Sequence, residues 1–271
     1  MTVKLVTNRK IAETSSKGNQ EKWYEPEQDA WYKLDQFGYE ALAETTVSKL
    51  LERSNIEREM PFVFVRYEME RLQVRGRERT GCVSQNFLKP GQNLITLAKL
   101  LKNHWGVSVS EKLQKFSSDK KRIAYLAEAT AEITGLKQFP AYLTMLFEID
   151  ALFCNDDRHL NNIAVIEENG RYAYCPIFDH GAGLLSNMIE LQMDVEPKAL
   201  ISLLKAQPFG MTFNRQRNTA RALYGQQLQM PLLTAKEIRE IVEPFLEYYP
   251  IRDRAVILKR VTECILLRQK A

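Results

Sequence analysis

The chain has 271 residues, of which 45% are hydrophobic, a content that supports a sizeable core and excludes a disordered protein. Lys and Arg number 38 against 34 for Asp and Glu, which gives a net charge of +4. This excess is compatible with a small anionic ligand but is too weak to indicate nucleic-acid binding.

The cysteines and the lack of targeting signals predict the compartment. Cys82, Cys154, Cys175 and Cys264 are scattered without paired spacing, as is typical of a reducing compartment. No apolar run reaches the roughly 18 residues that a membrane span requires. The N-terminus carries no apolar signal core. We therefore expect a cytoplasmic protein, although signal-independent export would leave no mark in the sequence.

The first segment, up to Leu34, has the pattern of strands around a polar loop at residues 14–22. Gly18 stands there among Ser, Asn and Gln residues, and such a loop can bring backbone N–H groups close to phosphates. The loop contains no Gly-Lys-Ser/Thr sequence. An ordinary surface hairpin explains its composition equally well.

A short predicted strand at residues 31–34 carries one lysine, Lys33, among apolar residues. Residues 39–51 then show the apolar spacing of a helix. Glu40 and Glu44 lie one turn apart on it, and we predict neighbouring surface positions for them.

Two further β-prone runs, at residues 61–69 and 79–87, flank a charged turn. The Lys-Pro-Gly sequence at residues 89–91 breaks the pattern and marks a predicted lobe boundary. From Asn93 onward the leucine spacing predicts helix, which stops at Gly106.

The later part of the chain is predicted to be helical. Ser118 or Asp119 can cap a helix that ends at Gly135. Further helical patterns cover residues 195–204, 214–224, 234–248 and 252–267. One of them carries a basic cluster, which is typical of a solvated helix face but is also able to receive an acidic substrate; the cluster consists of Arg215, Arg217 and Arg221.

Polar groups concentrate between Asn155 and Gly181. An apolar helix precedes them, and two β-prone runs around a Glu-Asn-Gly turn predict a hairpin within the segment. Asp157 and Asn162 are then expected near one end of the hairpin, and Asp179 reaches the same end on the return strand.

This arrangement suits phosphoryl transfer from ATP. One amide and one carboxylate, here Asn162 and Asp179, can hold Mg²⁺ against phosphates, because magnesium prefers hard oxygen ligands. A carboxylate a few residues before the amide, here Asp157, can accept the proton of an attacking hydroxyl. His159 would orient these groups or contact phosphate.

Two other interpretations of the segment stay open. Asp, Asn and His are common turn and capping residues. A zinc site is the second alternative, although no CxxC, HxxxH or HExxH spacing is present; its ligands would come from Cys154, Asp157, His159, Cys175, Asp179 and His180.

The order Asn155-x-Asp157-x-His159-x-x-Asn162, followed by Phe178-Asp179, resembles the HipA-like serine/threonine kinases. That family shares an atypical fold with the phosphoinositide 3-/4-kinases, whose catalytic loop also reads Asp-Arg-His-x-x-Asn. The resemblance implies an α+β, two-lobed protein-kinase-like fold. A small β-rich N-lobe would cover residues 1–87, and a larger, mainly helical C-lobe would cover residues 88–271.

The resemblance also implies roles for residues outside this segment. Lys33 would bind the phosphates and Glu44 would hold it. Adenine would contact a hinge at residues 84–87, of which Ser84 and Asn86 are candidates. The nucleotide loop would use Gly18, Gln20 and Lys22.

Regulation and the choice of base follow from the same likeness. Ser15 stands where larger HipA proteins carry a serine that they phosphorylate themselves. Asp156 competes with Asp157 as the base, but the family places His two residues after the base, which favours Asp157.

The sequence departs from the larger HipA proteins, which carry an additional subdomain ahead of the nucleotide loop. Here that loop starts by about Thr14, so we expect a compact kinase core, and contacts with a DNA-binding antitoxin or another regulator are in doubt. The leading hypothesis is an ATP- and Mg²⁺-dependent kinase of protein Ser or Thr hydroxyls. A lipid or small-molecule kinase and a non-catalytic nucleotide-binding regulator are the alternatives.

Overall fold

The computed structural model describes residues 4–6 and 20–271. The β-rich part is a five-stranded sheet in the order β1-β4-β5-β3-β2. Its only parallel pair among the described strands is β1 with β4. The strands are β1 (Lys4–Val6), β2 (Lys22–Glu25), β3 (Ala30–Leu34), β4 (Glu68–Val74) and β5 (Arg77–Gln85).

The side chains of strand β3 point alternately to an apolar face of the sheet and to a face that carries a charged residue, Lys33. Tyr32 and Leu34 pack into a small core, where Tyr32 stacks on Trp23 at 5.5 Å between ring centroids. Because side chains alternate along a strand, Lys33 and Trp31 lie on the opposite face. Helix α1 (Glu40–Leu51) covers part of that second face.

The prediction of surface positions for Glu40 and Glu44 is wrong, since both side chains are buried. Helix α1 is covered on more than one side, by the sheet and by helices of the other part, so a single apolar face does not describe it. Glu40 accepts hydrogen bonds from the N–H groups of Phe37 at 2.6 Å and Gly38 at 3.0 Å. It therefore fastens the start of the helix, while Glu44 faces Lys33.

The predicted strand at residues 61–69 is displaced in the structure. The paired strand β4 begins only at Glu68 and ends at the tight turn to β5, where Arg75 and Gly76 both have positive φ. Residues 61–67 instead run beside Ile177, which exchanges hydrogen bonds of 2.8 Å with Val63 and Val65. This link ties the β-rich part to the chain just before Asp179.

A second sheet has the order β6-β7-β8 and consists of β6 (Asn93–Thr96), β7 (Ala164–Glu168) and β8 (Arg171–Tyr174). The hairpin predicted around the Glu-Asn-Gly turn is confirmed, and Asn169 and Gly170 have the positive φ that it requires. The prediction of helix from Asn93 onward is wrong for the first four residues. They pair with β7, and Thr96 then caps the helix that follows.

The remaining helices surround a large apolar core. Helix α6 (Phe139–Phe153) is central to it, and Cys154, which follows it in a left-handed conformation (φ 55°), turns the chain into the polar loop. The helices are α2 (Ile56–Glu59), α3 (Leu97–Trp105), α4 (Val109–Gln114), α5 (Asp119–Thr134), α6 (Phe139–Phe153), α7 (Pro197–Leu203), α8 (Phe213–Tyr224), α9 (Ala235–Val242) and α10 (Ile251–Arg268).

Most predicted helix ends are confirmed, including the Ser118 cap and the stops at Gly106 and Gly135. The helix predicted over residues 234–248 is divided. Its second half, Glu243–Tyr248, is a 3₁₀ helix, since Pro244 has no N–H to continue the α-helical hydrogen bonds. Within the described residues, no helix has the length and apolar character needed to cross a bilayer.

Candidate active site

A lysine enclosed by two carboxylates forms one wall of the cleft between the β-rich and helical parts. Lys33 on β3 contacts Glu44 of α1, and its Nζ lies 2.6 Å from Oδ1 of Asp179. Burial lowers the pKa of Lys33, but Asp179 and Glu44 outweigh this effect and raise it well above its ordinary value. The ammonium therefore stays charged.

Asp179 is held from several directions. Burial raises the pKa of its carboxyl, yet Lys33 and Lys22 reverse the shift and keep it below the usual range. The Asp179 N–H points to the Tyr67 hydroxyl at 3.5 Å, and its carbonyl accepts from Asn155 at 3.0 Å. Its positive φ of 66° is thus fixed by contacts on both sides of the residue.

Glu44 joins this lysine to the segment after Asp179. One of its oxygens contacts Lys33, and the other accepts the backbone N–H of His180 at 2.7 Å. Burial raises the pKa of Glu44, and Lys33 opposes that shift. Because Glu44 has both a charged and a neutral donor, α1 sets the position of Lys33 and of the Asp179–His180 backbone together.

The opposite wall is the loop between α6 and β7. Asn162 donates from Nδ2 to the carbonyl of Asp157 at 2.8 Å and to its Oδ2 at 3.3 Å. His159 Nε2 lies 3.6 Å from Asp157 Oδ1. The side chain of Asp157 is 60% exposed, so the carboxylate is fixed at its base but open at its outer edge.

The two adjacent acids of the loop differ in their surroundings. Burial raises the pKa of Asp156 to about 6, and Asp157 and Glu190 contribute in the same direction. Loss of water in the cleft and repulsion by Asp179 raise the pKa of Asp157, while His159 opposes the shift. Asp157 is the one that touches His159 and Asn162.

A buried ion pair beneath the loop was missed in the sequence. Arg158 is fully buried and binds both oxygens of Asp150, with Nε–O distances of 3.1 and 3.2 Å. It also donates to the carbonyls of Asn162 at 3.1 Å and Phe178 at 2.6 Å. One guanidinium thus fixes the two segments that carry Asn162 and Asp179. The available signal was a carboxylate inside an apolar helix, which requires a partner.

His180 completes this buried layer. Its Nδ1 lies 3.3 Å from a guanidinium nitrogen of Arg158, and since arginine only donates, Nδ1 is the acceptor. Burial and Arg158 lower the pKa of His180 well below its ordinary value. The imidazole is therefore neutral and supports Arg158.

The alternative zinc site is wrong. Among the described residues, no group of three or more His, Cys, Asp and Glu side chains is placed to share a metal ion. Cys154 and Cys264 are free thiols that interact with each other in the core, and burial raises the pKa of Cys175.

The oxygens at the mouth of the cleft suit magnesium better. Asp179 Oδ2 and Asn162 Oδ1 have no hydrogen-bond partner in the part of the chain that the structure describes, whereas the other polar atom of each side chain is engaged. One carboxylate and one amide are hard oxygen ligands, and magnesium usually takes few protein ligands and completes its shell with water and phosphates.

The structure places Lys22 in the cleft, whereas Gln20 is used in a hydrogen bond within the sheet. Lys22 lies opposite Lys33 in the β2–β3 pair, so both lysines are on the cleft face. Gln20 donates to the carbonyl of Leu34 at 2.7 Å and so fastens the end of β3. Gly18 and the candidate Ser15 lie outside the described residues.

The predicted hinge lies at the end of β5. Ser84 is buried and pairs with Trp31. The donor groups of Asn86 are already used. Its N–H donates to the carbonyl of Asp29 at 2.8 Å, and its side chain donates to Asp29 Oδ1 at 3.0 Å. A ligand at this strand end would have to use other backbone groups.

Two aromatic residues on the cleft face were also missed. Tyr24 and Trp31 are paired across β2 and β3, with ring centroids 5.4 Å apart, and both are partly exposed. Trp31 is two residues from Lys33, about 7 Å along the strand. The signal was the alternation of β3, which places Trp31 and Lys33 on one face.

Comparisons with known proteins identify the fold class. No protein-family model matches the sequence, and no curated protein sequence matches it. The chain is similar in structure to the Helicobacter pylori proinflammatory kinase CtkA, with a TM-score of 0.59 and 12% identity over 94% of this chain and 89% of that chain. HipA from a Shewanella oneidensis toxin–antitoxin complex with HipB and operator DNA gives a TM-score of 0.49 and 12% identity. This chain covers 64% of that HipA chain.

The likeness to CtkA shows the fold class that the sequence predicted. The protein has an α+β, two-lobed, protein-kinase-like fold, with a small β-rich N-lobe and a larger, mainly helical C-lobe. The site described above lies between these two lobes.

Proposed function

We propose that this chain is a kinase that transfers the γ-phosphate of ATP to a Ser or Thr hydroxyl of a protein. The observation that carries the proposal is the convergence of Lys33, Asp157, Asn162 and Asp179 on one cleft. Electrostatic interaction links Lys22 to Asp179 and Asp157 as well, so the cleft alternates cations with carboxylates. Such a set positions polyphosphate and neutralises the charge that develops during transfer.

Nucleotide binding would use the N-lobe face of the cleft. Lys33, held by Glu44, would bind phosphate oxygens, and Lys22 would approach them from the neighbouring strand. The adenine ring of ATP would lie against Trp31 and Tyr24, whose planar surfaces suit stacking.

Asp179 and Asn162 are the residues that would hold magnesium. The ion, when bound with ATP, would neutralise charge on the phosphates and orient them. The buried Arg158–Asp150 pair would keep both ligands in place, because Arg158 donates to the carbonyl of Asn162 and to that of Phe178, the residue before Asp179.

Asp157 would act as the general base. It would accept the proton of the attacking hydroxyl while the hydroxyl oxygen bonds to the γ-phosphorus and ADP leaves. His159, 3.6 Å from its carboxylate, would orient it. Exposure of Asp157 suits this role, since the acceptor must reach the carboxylate from solvent.

The experiment measures labelled phosphate transferred from ATP, with magnesium, to a generic basic protein and to a panel of phosphoinositides. Lys33→Met is compared with Lys49→Met, an exposed lysine on α1. We expect transfer to protein by the wild type and by Lys49→Met, and loss of transfer in Lys33→Met.

The other outcomes separate the alternatives. Transfer to lipid alone would indicate a lipid kinase. Binding of ATP without transfer to any acceptor would indicate a nucleotide-binding regulator. Equal activity of the two lysine variants would remove Lys33 from the proposed site, with thermal unfolding used to check that both variants fold.

Autophosphorylation at Ser15 and an antitoxin or regulator partner also remain proposals, and both rest on the resemblance of the sequence motifs. A phosphate on Ser15 would add about −1.5 to −2 charge at pH 7 and repel the phosphates of ATP. Mass spectrometry after incubation with magnesium and ATP tests this step. An active preparation without phosphate on residues 14–16 would exclude it.

A further inference from the structure

A second cavity lies in the C-lobe, on the side of α6 that faces away from Arg158 and the loop between α6 and β7. Glu148 and Leu152 line it from α6, whereas Asp150 projects from the other side of that helix to Arg158. Its volume is about 250 Å³. The rest of its lining comes from α8, the end of α10 and the segment between α8 and α9.

Three arginines and a single acidic residue line this cavity. Arg217 and Arg221 stand one turn apart on α8, and Arg268 comes from the last turn of α10. Glu148 contacts Arg221 and also accepts the N–H groups of residues 227 and 228, at 3.0 and 2.6 Å. Both oxygens of the Glu148 carboxylate thus already have partners.

The other two guanidinium groups have no side-chain carboxylate partner among the described residues. Arg268 donates to a backbone carbonyl of α6 at 2.6 Å and to Asn214 Oδ1 at 2.7 Å. Arg217 donates to Asn218 Oδ1 at 3.1 Å and to the oxygen of Ala271 at 2.9 Å. Two guanidinium groups therefore border the cavity without a direct side-chain carboxylate contact, and the single acidic side chain of the lining, Glu148, is in contact with Arg221.

Electrostatic interaction among these arginines is unfavourable as they stand. Burial lowers the pKa of Arg217, Arg221 and Arg268 lower it further, and Glu148 opposes the shift. Like charges one turn apart on a helix also destabilise it. An anion in the cavity would relieve the repulsion, and phosphate offers a planar guanidinium two oxygens at once.

An apolar part of the cavity lining lies next to the arginines and extends to the protein surface. It is formed by Leu228, Met230, Pro231 and Leu232 of the irregular segment between α8 and α9. Leu232 is 76% exposed. A ligand that combines an anionic group with an apolar neighbour, as a peptide does, fits this surface better than a free ion.

We propose that this cavity binds a phosphorylated Ser or Thr side chain of a protein segment. The two guanidinium groups match the charge of about −1.5 to −2 on a phosphate monoester at pH 7, whereas one carboxylate would leave a guanidinium unbalanced. The residues that follow the phosphate would pack on Leu232 and its neighbours. This site lies outside the cleft, so the inference goes beyond the proposed kinase activity.

Fluorescence anisotropy tests the site with a labelled peptide that carries phosphoserine followed by leucine. We expect this peptide to bind at least about tenfold more tightly than the same peptide with Ser or Asp, because charge-assisted hydrogen bonds are the strong ones. Inorganic phosphate should compete only weakly. Binding is measured without ATP, so its outcome does not depend on phosphoryl transfer in the cleft.

Two arginines of one helix supply the variant and its matched control. Arg217→Gln should weaken binding by about 10- to 100-fold. Arg215→Gln should leave it unchanged, since Arg215 pairs with Asp119 outside the cavity and its side chain is 67% exposed.

Three results would overturn the proposal. The first is no phosphopeptide binding by the wild type, which would mean that the oxygens already bonded to Arg217 and Arg268 satisfy them. The second is an equal loss in both variants while thermal unfolding shows both to be folded. The third is inorganic phosphate competing as tightly as the phosphopeptide.

Discussion

The two walls of the cleft hold their carboxylates in opposite ways. Against the N-lobe, Asp179 lies beside Lys33, and its pKa stays below the usual range although burial opposes this. In the loop between α6 and β7, Asp156 has lost water without gaining a cation, and burial raises its pKa to about 6. The two environments therefore keep the Asp179 carboxylate charged and allow Asp156 to take up a proton more readily.

The layer beneath the loop explains how both walls keep their geometry. Arg158 and Asp150 are fully buried and pair with each other, while Asp157 above them is mostly exposed. Buried, paired charges thus support exposed residues for which we propose chemistry at the cleft surface.

The largest effect is expected from Asp179→Asn. The change removes the charged oxygen proposed to hold magnesium and one of the two counter-charges of Lys33. Transfer should fall by at least about 10³-fold, because electrostatic stabilisation by a bound metal contributes several kcal/mol. Calorimetry of ATP binding with and without magnesium should lose its magnesium dependence. Unchanged magnesium dependence would remove Asp179 from the metal site.

The buried pair should dominate stability. Arg158→Gln leaves the Asp150 carboxylate buried without its partner, so the free energy of unfolding should drop by about 3–5 kcal/mol. Urea denaturation measures this loss. The matched control is Arg66→Gln, which breaks the surface pair with Glu57 at 2.7 Å and should cost less than about 1 kcal/mol. Similar losses in the two variants would contradict a special role for the buried layer.

A smaller, pH-dependent effect is expected at Asp156. Its pKa is about 6 in the folded protein and ordinarily about 3.8, so the folded chain holds the extra proton between these values. Stability is therefore lost as the pH rises through that window, by at most about 3 kcal/mol. Asp156→Asn removes this loss.

Urea denaturation at pH 5 and pH 7 measures the Asp156 effect. The stability advantage of Asp156→Asn over the wild type should be larger at pH 7. An advantage that is the same at both values would mean that Asp156 keeps an ordinary pKa in the folded protein.

Local signals in the sequence were sufficient for much of the fold. The Ser118 cap, the glycine stops and the Asn169–Gly170 turn each depend on a few neighbouring residues, and all are found where they were predicted. The motif from Asn155 to Asn162 likewise specified a compact loop, and the structure brings Asp157, His159 and Asn162 together in it.

Long-range pairing was not accessible in the same way. Residues 93–96 are a strand because β7 lies beside them, and Val63 and Val65 form backbone hydrogen bonds with Ile177, which is far away along the chain. The burial of Glu40 and Glu44 depends on elements that meet α1 from both sides. Arg158 binds Asp150 eight positions away and the carbonyl of Phe178 twenty positions away, which no spacing rule predicts.

The most direct test of a proton acceptor in this cleft compares Asp157→Asn with Asp156→Asn in one assay of labelled phosphate transfer from ATP. Asp157→Asn should lose about 10²- to 10⁴-fold in rate, as is typical for removal of a general base, with little change in ATP affinity. Asp156→Asn should stay near the wild-type rate at pH 7. Near-normal transfer by Asp157→Asn together with loss in Asp156→Asn would contradict the assignment and make Asp156 the base.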